Sequence, residues 1–448
     1  MSKRQVIDDP VHQRVHERVA AVDVAKKDGT VCMRLPHPSR PGQRRSQVWT
    51  VTATMNQVRE LAGQLSAGRV EKVTLESTSD YWRIWYYVLE AAGLDVQLVN
   101  ASQAKNLPGR PKTDRLDAVW LARLTENGLL RPSFVPPAAI RALRNYTRAR
   151  TRLAGDRTRC FQRLEKLLED ALIKLSSVAS KLTTVSARDM IAAMIAGERD
   201  PVALAALART RMKAKHDQLV EALTGMFDDH HGEVARLLLD QAAFCDAAIA
   251  RLDILIKEHL AGITAARGVD ASGETGPAAG TGPGAIVLPA VARLDEITGV
   301  SADLAAGIIA EIGLDMSRFP TAAHLVSWAG LAGRTIQSGA RARNGHGHGN
   351  THLRGYLGQA ATGAAGTATF LGERYQRIAR RRGKAKAQVA VARSILVIIW
   401  HLLADPSARF HDLGPRHYQT KIDKNRKTRS HIRQLEALGY TVTLTPAA

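Results

Sequence analysis

One stretch constrains the fold of this chain more than any other: Pro108-Gly109-Arg110-Pro111-Lys112-Thr113-Asp114-Arg115-Leu116-Asp117-Ala118-Val119-Trp120-Leu121-Ala122. A basic loop broken by Gly and Pro runs into an apolar-periodic helix, and Asp114 and Asp117 fall on one face of its first turns. Two carboxylates held close repel, so the pair points either to a bound metal or to solvated acids of the kind the macrodipole favours at a helix start. The stretch alone leaves both open.

The residues before it say what sheet that helix meets. Arg18 to Val24 reads as a buried strand, Lys27-Asp28-Gly29 as its turn and Thr30 to Leu35 as the returning strand. Pro36 to Arg45 reads as an exposed loop and Gln47 to Thr52 as a third strand. A helix over about Met55 to Ser66 places Val58, Leu61 and Leu65 on one side, and a fourth strand, Lys72 to Glu76, ends at a carboxylate. A second helix, about Tyr81 to Ala92, stops at Gly93, and Val96 to Asn100 is the fifth strand. Three strands, helix, strand, helix, strand, helix is the order of an RNase H-like α/β domain. In such a sheet Asp23 and Glu76 project from neighbouring strands toward the helix of Asp114 and Asp117. Four acids from three distant segments then converge as oxygen ligands for one or two Mg²⁺ ions.

Charge narrows the partners. Lys and Arg exceed Asp and Glu by 21 in a chain of 448 residues, which is more than solubility needs and is typical of proteins that live on phosphate backbones. The length predicts two or three domains. Cys32, Cys160 and Cys245 are scattered and odd in number, which argues against a disulfide framework or a zinc cage and fits a reducing cytoplasm. The N-terminus has no export signal, and the longest apolar run, Val389 to Leu403, carries Arg393 and His401 and reads as a buried helix, not a membrane span.

Ile140 to Leu175 predicts one long helix whose other faces are crowded by Arg141, Arg144, Arg148, Arg150, Arg152, Arg157, Arg159 and Arg163, a repulsion that a polyanion would relieve. A second helical block, about Leu204 to Leu260 with a break near Gly225 to Gly232, predicts an antiparallel coiled-coil arm. His230-His231 beside Asp228-Asp229 lacks a diagnostic ligand spacing and reads as a helix corner. Gly268 to Gly284, nearly free of large apolar residues, reads as a flexible linker. Beyond it, Leu294 to Ser301 followed by Ala302 to Gly313 has the pattern of a helix-hairpin-helix, whose loop amides can hold phosphates.

The motifs Asp23-Val24-Ala25-Lys26, Glu76-Ser77-Thr78-Ser79-Asp80-Tyr81-Trp82, Val99-Asn100-Ala101 and Gly109 to Ala118, with Gly128 to Pro137 downstream, resemble the RuvC-like DEDD domain of the insertion-sequence-110 family of transposases. Phe319 to Arg341 and the tract through Gly345-His346-Gly347-His348-Gly349-Asn350 to Arg354 resemble that family's C-terminal domain. The resemblance implies that Asp23, Glu76, Asp114 and Asp117 are the metal-binding and catalytic acids, with Mg²⁺ as cofactor, and that Ser338 is the nucleophile. Around Ser338 the chain has Gln337 and Gly339-Ala340-Arg341 where the family often has Glu and Ala-Gly-Lys. His324, His346, His348 and His352 are candidates for the base a serine needs, beside the plainer reading of surface or linker histidines.

Arg110, Lys112, Arg334, Arg341, Arg343, Arg354, Arg381, Arg382 and Lys384 are the candidate nucleic-acid contacts, beside the plainer reading of solvated charges. The expected domains are 1–137 (RuvC-like), 138–266 (helical arm), 267–285 (linker), 286–410 (mostly α, with the serine) and 411–448 (basic tail). The resemblance further implies a recombinase working by a covalent phosphoserine on donor and target DNA. It implies a bridge RNA as guide, a homodimer or homotetramer as the assembly, and a bacterial cytoplasm, on the nucleoid, as its place. The alternatives are a metal-only RuvC-like endonuclease or junction resolvase, and an inactive nucleic-acid-binding protein.

Overall fold

The structure, a computed structural model, describes residues 14–100, 114–269, 275–276, 287–338, 341–346, 349–417 and 424–444. The chain divides into two units, Met1–Val135 and Pro136–Ala448.

In the first unit, β1 (Val19–Val24), β2 (Asp28–Pro36), β3 (Arg44–Thr52), β4 (Lys72–Ser77) and β5 (Val96–Asn100) form one sheet in the order β3-β2-β1-β4-β5. β2 is antiparallel to β1 and β3, whereas β1, β4 and β5 are parallel. This is the RNase H-like order. Helices α1 (Met55–Ala67) and α2 (Trp82–Ala91) bury Val58, Leu61, Leu65, Trp85 and Leu89 against Ala20, Val22, Val73 and Leu75. Helix α3 (Asp114–Glu126) covers the other face, where Ala118, Leu121 and Ala122 meet Val19, Ala21, Cys32 and Val99. Of the two central parallel strands, β1 is apolar but for Asp23, whereas β4 alternates Val73 and Leu75 with Thr74 and Glu76.

β3 begins at Arg44, so the expected Pro36–Arg45 loop is shorter than its composition suggests. The loop closes with the His37 amide donating to the Gln43 carbonyl at 2.9 Å. Arg44-Arg45-Ser46 has no apolar alternation, yet Arg44 turns inward, its Nε 2.8 Å from Glu126.

In the second unit, α4 (Ala138–Asp170) pairs with α7 (Asp229–Gly262). The pair is antiparallel, since Arg150 meets Asp253 while Arg157 meets Asp246 at 2.6 Å. At the end of α4, a cluster of Leu164, Leu168, Met190, Ile191, Met194, Leu219 and Phe227 packs it against α5 (Val185–Ile195), α6 (His216–Leu223) and α7. Five of the eight arginines named on α4 meet acids within the protein. Arg144 and Arg148 pair with Glu311, Arg150 with Asp253 and Asp303, Arg157 with Asp246, and Arg159 with Asp156.

The stretch expected as a linker lies mostly outside the described residues. Its described pieces, β6 (Gly268–Val269) and β7 (Thr275–Gly276), pair antiparallel, and Val269 bridges to Val287. Then come α8 (Ala290–Asp295), a turn at Gly299 with φ of 87°, and α9 (Ala302–Ile312), capped by Ser301. A Cβ on Gly299 would sit 2.2 Å from the Ala360 carbonyl oxygen, so only glycine allows this hairpin to lie against α11 (Thr351–Ala364).

After α10 (Ala322–Trp328), strands β8 (Gly333–Ser338) and β9 (Arg341–His346) form an antiparallel ribbon ahead of α11. Helices α12 (Phe370–Arg382) and α13 (Lys384–Ala404) follow, and α14 (Lys424–Ala437) lies in the basic tail. By length and composition α13 is, among the described residues, the one helix able to cross a membrane. It buries Val391, Ile395, Leu396, Ile399 and Leu402, and packs against α10, α11 and α12.

Candidate active site: an acidic face and a serine ribbon

In the first unit the pairing register places the acids. Val22 pairs with Leu75 across the parallel β1 and β4, so Asp23 and Glu76 stand level, one residue further on. Alternation puts Asp23 on the face of Val19 and Ala21, and Glu76 on the face of Thr74. Both faces are the one α3 covers, because Val19 and Ala21 pack on its Ala118, Leu121 and Ala122 and Thr125 donates to the Thr74 hydroxyl at 2.7 Å. Glu76 is buried and Asp23 half-buried.

Helix α3 runs antiparallel to β1. The Glu126 carbonyl at its end accepts from the amides of Val15 and His16 at 3.0 and 3.2 Å, just before β1 starts. Its first residues, about 18 Å back along the helix axis, therefore lie toward the C-terminal ends of β1 and β4. Asp114 opens the helix and Asp117, half-buried, follows. The structure thus brings Asp23, Glu76 and the first turns of α3 to one face and one end of the sheet, where open α/β sheets bind ligands. Carboxylate oxygens are the donors a hard divalent cation takes, although among the described residues Asp23, Glu76 and Asp117 do not draw together into a three-ligand cluster.

The sequence reading missed what holds α3 in place. Glu126 is buried and meets Arg34, Arg44 at 2.8 Å and Arg14 at 3.3 Å. One signal was available, because an acid in the last turn opposes the helix macrodipole and so calls for a cation nearby.

In the second unit Ser338 ends β8 and pairs in register with Arg341, while Ile336 pairs with Arg343 and Arg334 with Gly345. Residues directly opposite share a face of a ribbon, so Ser338, Arg341, Arg343 and Arg334 lie on one face by register. Residues 339–340 at the tip and 347–348 on the return lie outside the described residues.

Two contacts pin the root of the ribbon. A Cβ on Gly349 would lie 2.0 Å from the Ala329 carbonyl oxygen, so the chain leaving β9 lies directly on the turn that leads into β8. Asn350 caps α11, its Oδ1 accepting from the Leu353 amide at 3.1 Å, while its Nδ2 donates to Glu311 Oε2 at 2.6 Å. Glu311, on α9, is wholly buried and also accepts from Arg148 Nε and Nη2, each at 2.8 Å. Arg144 donates to the Ala310 and Glu311 carbonyls at 2.9 and 2.8 Å. Burial pushes the Glu311 carboxyl up, but the hydrogen bonds of Arg148 and Asn350 and the charges of Arg144 and Arg148 outweigh it and hold it below the usual carboxylate range. No spacing in the sequence singles out Glu311.

Known families now bear on this geometry. A transposase family model for the IS110 DEDD domain matches residues 20–173, and the model for the IS116/IS110/IS902 transposase family matches residues 291–376. Together they take in both the acidic face and the serine ribbon, over slightly more than half of the chain. The chain belongs to the IS110 family of transposases.

A search of curated proteins returned no match. Among solved structures, one titled "Thermus thermophilus RuvC structure" is 13% identical, with 26% of this chain and 99% of that chain covered and a TM-score of 0.21. The strand order itself, and not that superposition, places the first unit in the RNase H-like class. The transposase is accordingly a DNA-cutting and strand-transferring enzyme with a nuclease-like DEDD domain of a kind that uses divalent metal ions.

Other expected residues of the transposase fall in several places. Arg110 and Lys112 lie outside the described residues. Arg354 is exposed on α11, in an open groove lined also by Leu331, Thr351, Gly355, Gly358 and Gln388. Arg381, Arg382 and Lys384 are exposed where α12 turns into α13. His324 meets the Thr321 hydroxyl at 2.8 Å beside the start of α10, and His348 lies outside the described residues. Burial, then the charge of Arg148, pushes His352 below the usual histidine range.

Asp228, His230 and His231 sit close enough to share an ion. Yet Asp228 and His231 close a capping box, with the Asp228 amide donating to His231 Nδ1 at 3.1 Å. That bond leaves the ring proton on Nε2, facing Asp170 at 3.5 Å, so the pair works as a helix cap.

Proposed function

We propose that this transposase cuts and rejoins DNA through a covalent phosphoserine at Ser338, with Mg²⁺ held by Asp23, Glu76, Asp114 and Asp117. The observation that carries this reading is the ribbon register, which sets Ser338 on the same face as Arg334, Arg341 and Arg343. The Ser338 oxygen bonds phosphorus as its proton departs, and the sugar oxygen leaves with the bonding pair and takes up a proton. A phosphodiester becomes a phosphoserine diester, so rejoining needs no nucleotide cofactor. The arginines neutralise charge on the non-bridging oxygens. When bound, Mg²⁺ supplies charge stabilisation at the same phosphate. Arg354, Arg381, Arg382 and Lys384 hold the flanking phosphates, as do Arg110 and Lys112.

The two centres act together in composite sites of a homodimer or homotetramer, with a bridge RNA supplying sequence by base pairing. The exposed Leu237 and Phe244, one heptad apart on α7, support self-association through that helix. The deciding experiment replaces Ser338 with Ala and assays supercoiled plasmid carrying the element ends. The recombinase loses both its DNA adduct and strand exchange, whereas a metal-only RuvC-like endonuclease keeps cutting. Nucleic acid co-purified with the full chain is tested in parallel for RNA, whose absence would sink the guide.

A further inference from the structure

We infer that Glu311 is a positioning residue for Ser338, acting through Asn350 at the root of the serine ribbon. The inference rests on the reading of Ser338 as nucleophile.

The ribbon is a lever with a short root. Ser338 stands five residues beyond Gly333, about 17 Å out at the rise of a strand. A small rotation at the root therefore becomes a displacement of ångströms at the serine. An in-line attack tolerates little of this, since about 1 Å of misplacement lowers a rate by on the order of 10²-fold.

A lone two-stranded ribbon is marginal in water, so its direction must be set from outside. On the way in it leaves the Ala329–Gly330 turn, and on the way out Gly349 lies on that same turn. What fixes the exit is Asn350, whose side chain does two things at once. Its oxygen caps α11 and its nitrogen donates to Glu311. Both Glu311 oxygens are engaged by Arg148, which α4 supplies, and Arg144 from the same helix grips the Ala310 and Glu311 carbonyls. Ribbon exit, α9 and α4 are thereby tied at one wholly buried carboxylate.

The two duties of Asn350 can be separated chemically. Asn350→Asp keeps an excellent helix cap but puts a carboxylate where the amide donor faced Glu311. Asn350→Ser also keeps the cap, and simply drops the donor. Pairing Asn350→Asp with Glu311→Gln reverses donor and acceptor between the two side chains.

The test uses the full chain with Mg²⁺ and duplex DNA of the element's own ends, and reads adduct formation at saturating DNA, DNA affinity and melting temperature. Asn350→Asp is expected to slow adduct formation by on the order of 10- to 100-fold, with DNA affinity within about two-fold of wild type as expected for contacts left untouched. Asn350→Ser is expected to fall between, and the double variant to recover most of the rate. Unchanged adduct formation in Asn350→Asp and Asn350→Ser overturns the inference, as does a loss that the double variant does not repair. If Ser338→Ala still forms an adduct or exchanges strands, the nucleophile reading itself fails, an outcome separate from either of these.

Discussion

Arg148 donates two parallel hydrogen bonds of 2.8 Å to Glu311, joining the long helix α4 to α9 across 163 residues of sequence. Burying a carboxylate is expensive, and here the fork of a guanidinium, a second arginine and an asparagine amide together offset it.

Arg148→Met should therefore destabilise the transposase by about 3 to 5 kcal/mol, because it strands a buried charge. Arg148→Met with Glu311→Met should recover most of that, since apolar pairs often replace buried ion pairs without loss. Denaturant melts of the two variants decide it, and a double variant no better than the single would refute the account.

Acid should loosen the second unit in two steps. The folded pKa of His352 lies below its unfolded value, so the unfolded chain binds the proton more readily and stability falls as pH drops through about 6.5. Glu311 is likewise depressed, so its contribution is present above about 4.3 and is lost as pH falls further toward its folded value. Melting temperature recorded from about pH 8 to about pH 2 should show both, and His352→Asn should flatten only the upper step.

Glu126→Ala should weaken the first unit and disturb its acidic face. It removes the partner of Arg14, Arg34 and Arg44 and frees the end of α3, at an expected loss of about 3 kcal/mol. Hydrogen exchange in residues 114–126 should rise, and a protected α3 would contradict this.

Asp23→Asn or Glu76→Gln should abolish Mg²⁺-dependent cutting. Without metal, either isosteric change should leave the melting temperature close to that of the wild type, because it keeps the side chain's shape. A marked drop in metal-free stability would mean that the acids serve structure instead.

Much of the first unit is legible in the sequence because Val19–Val24 is apolar but for Asp23, and Lys72–Ser77 alternates Val73 and Leu75 with Thr74 and Glu76. Arg44-Arg45-Ser46 is not, since its strand character comes from pairing with β2 and from Glu126, far along the chain. The arginines of α4 are only partly legible for a related reason. Charge along a helix is visible at once, whereas the acids that answer it, Asp246, Asp253, Asp303 and Glu311, come from other helices.

Ser338 reads from sequence as a turn residue in a Gly-rich tract. The paired strands around it carry few β-branched or aromatic residues and owe little to propensity, so the shared face of Ser338 and the arginines emerges only from the register. Tertiary closure at Glu311 leaves no local pattern at all.

Helix α13 is apolar enough to partition into a lipid bilayer, yet α10, α11 and α12, which cover it, all precede it in the chain. The partners that keep this greasy segment from lipid have thus all left the ribosome before it does, so its burial waits on no later part of the chain.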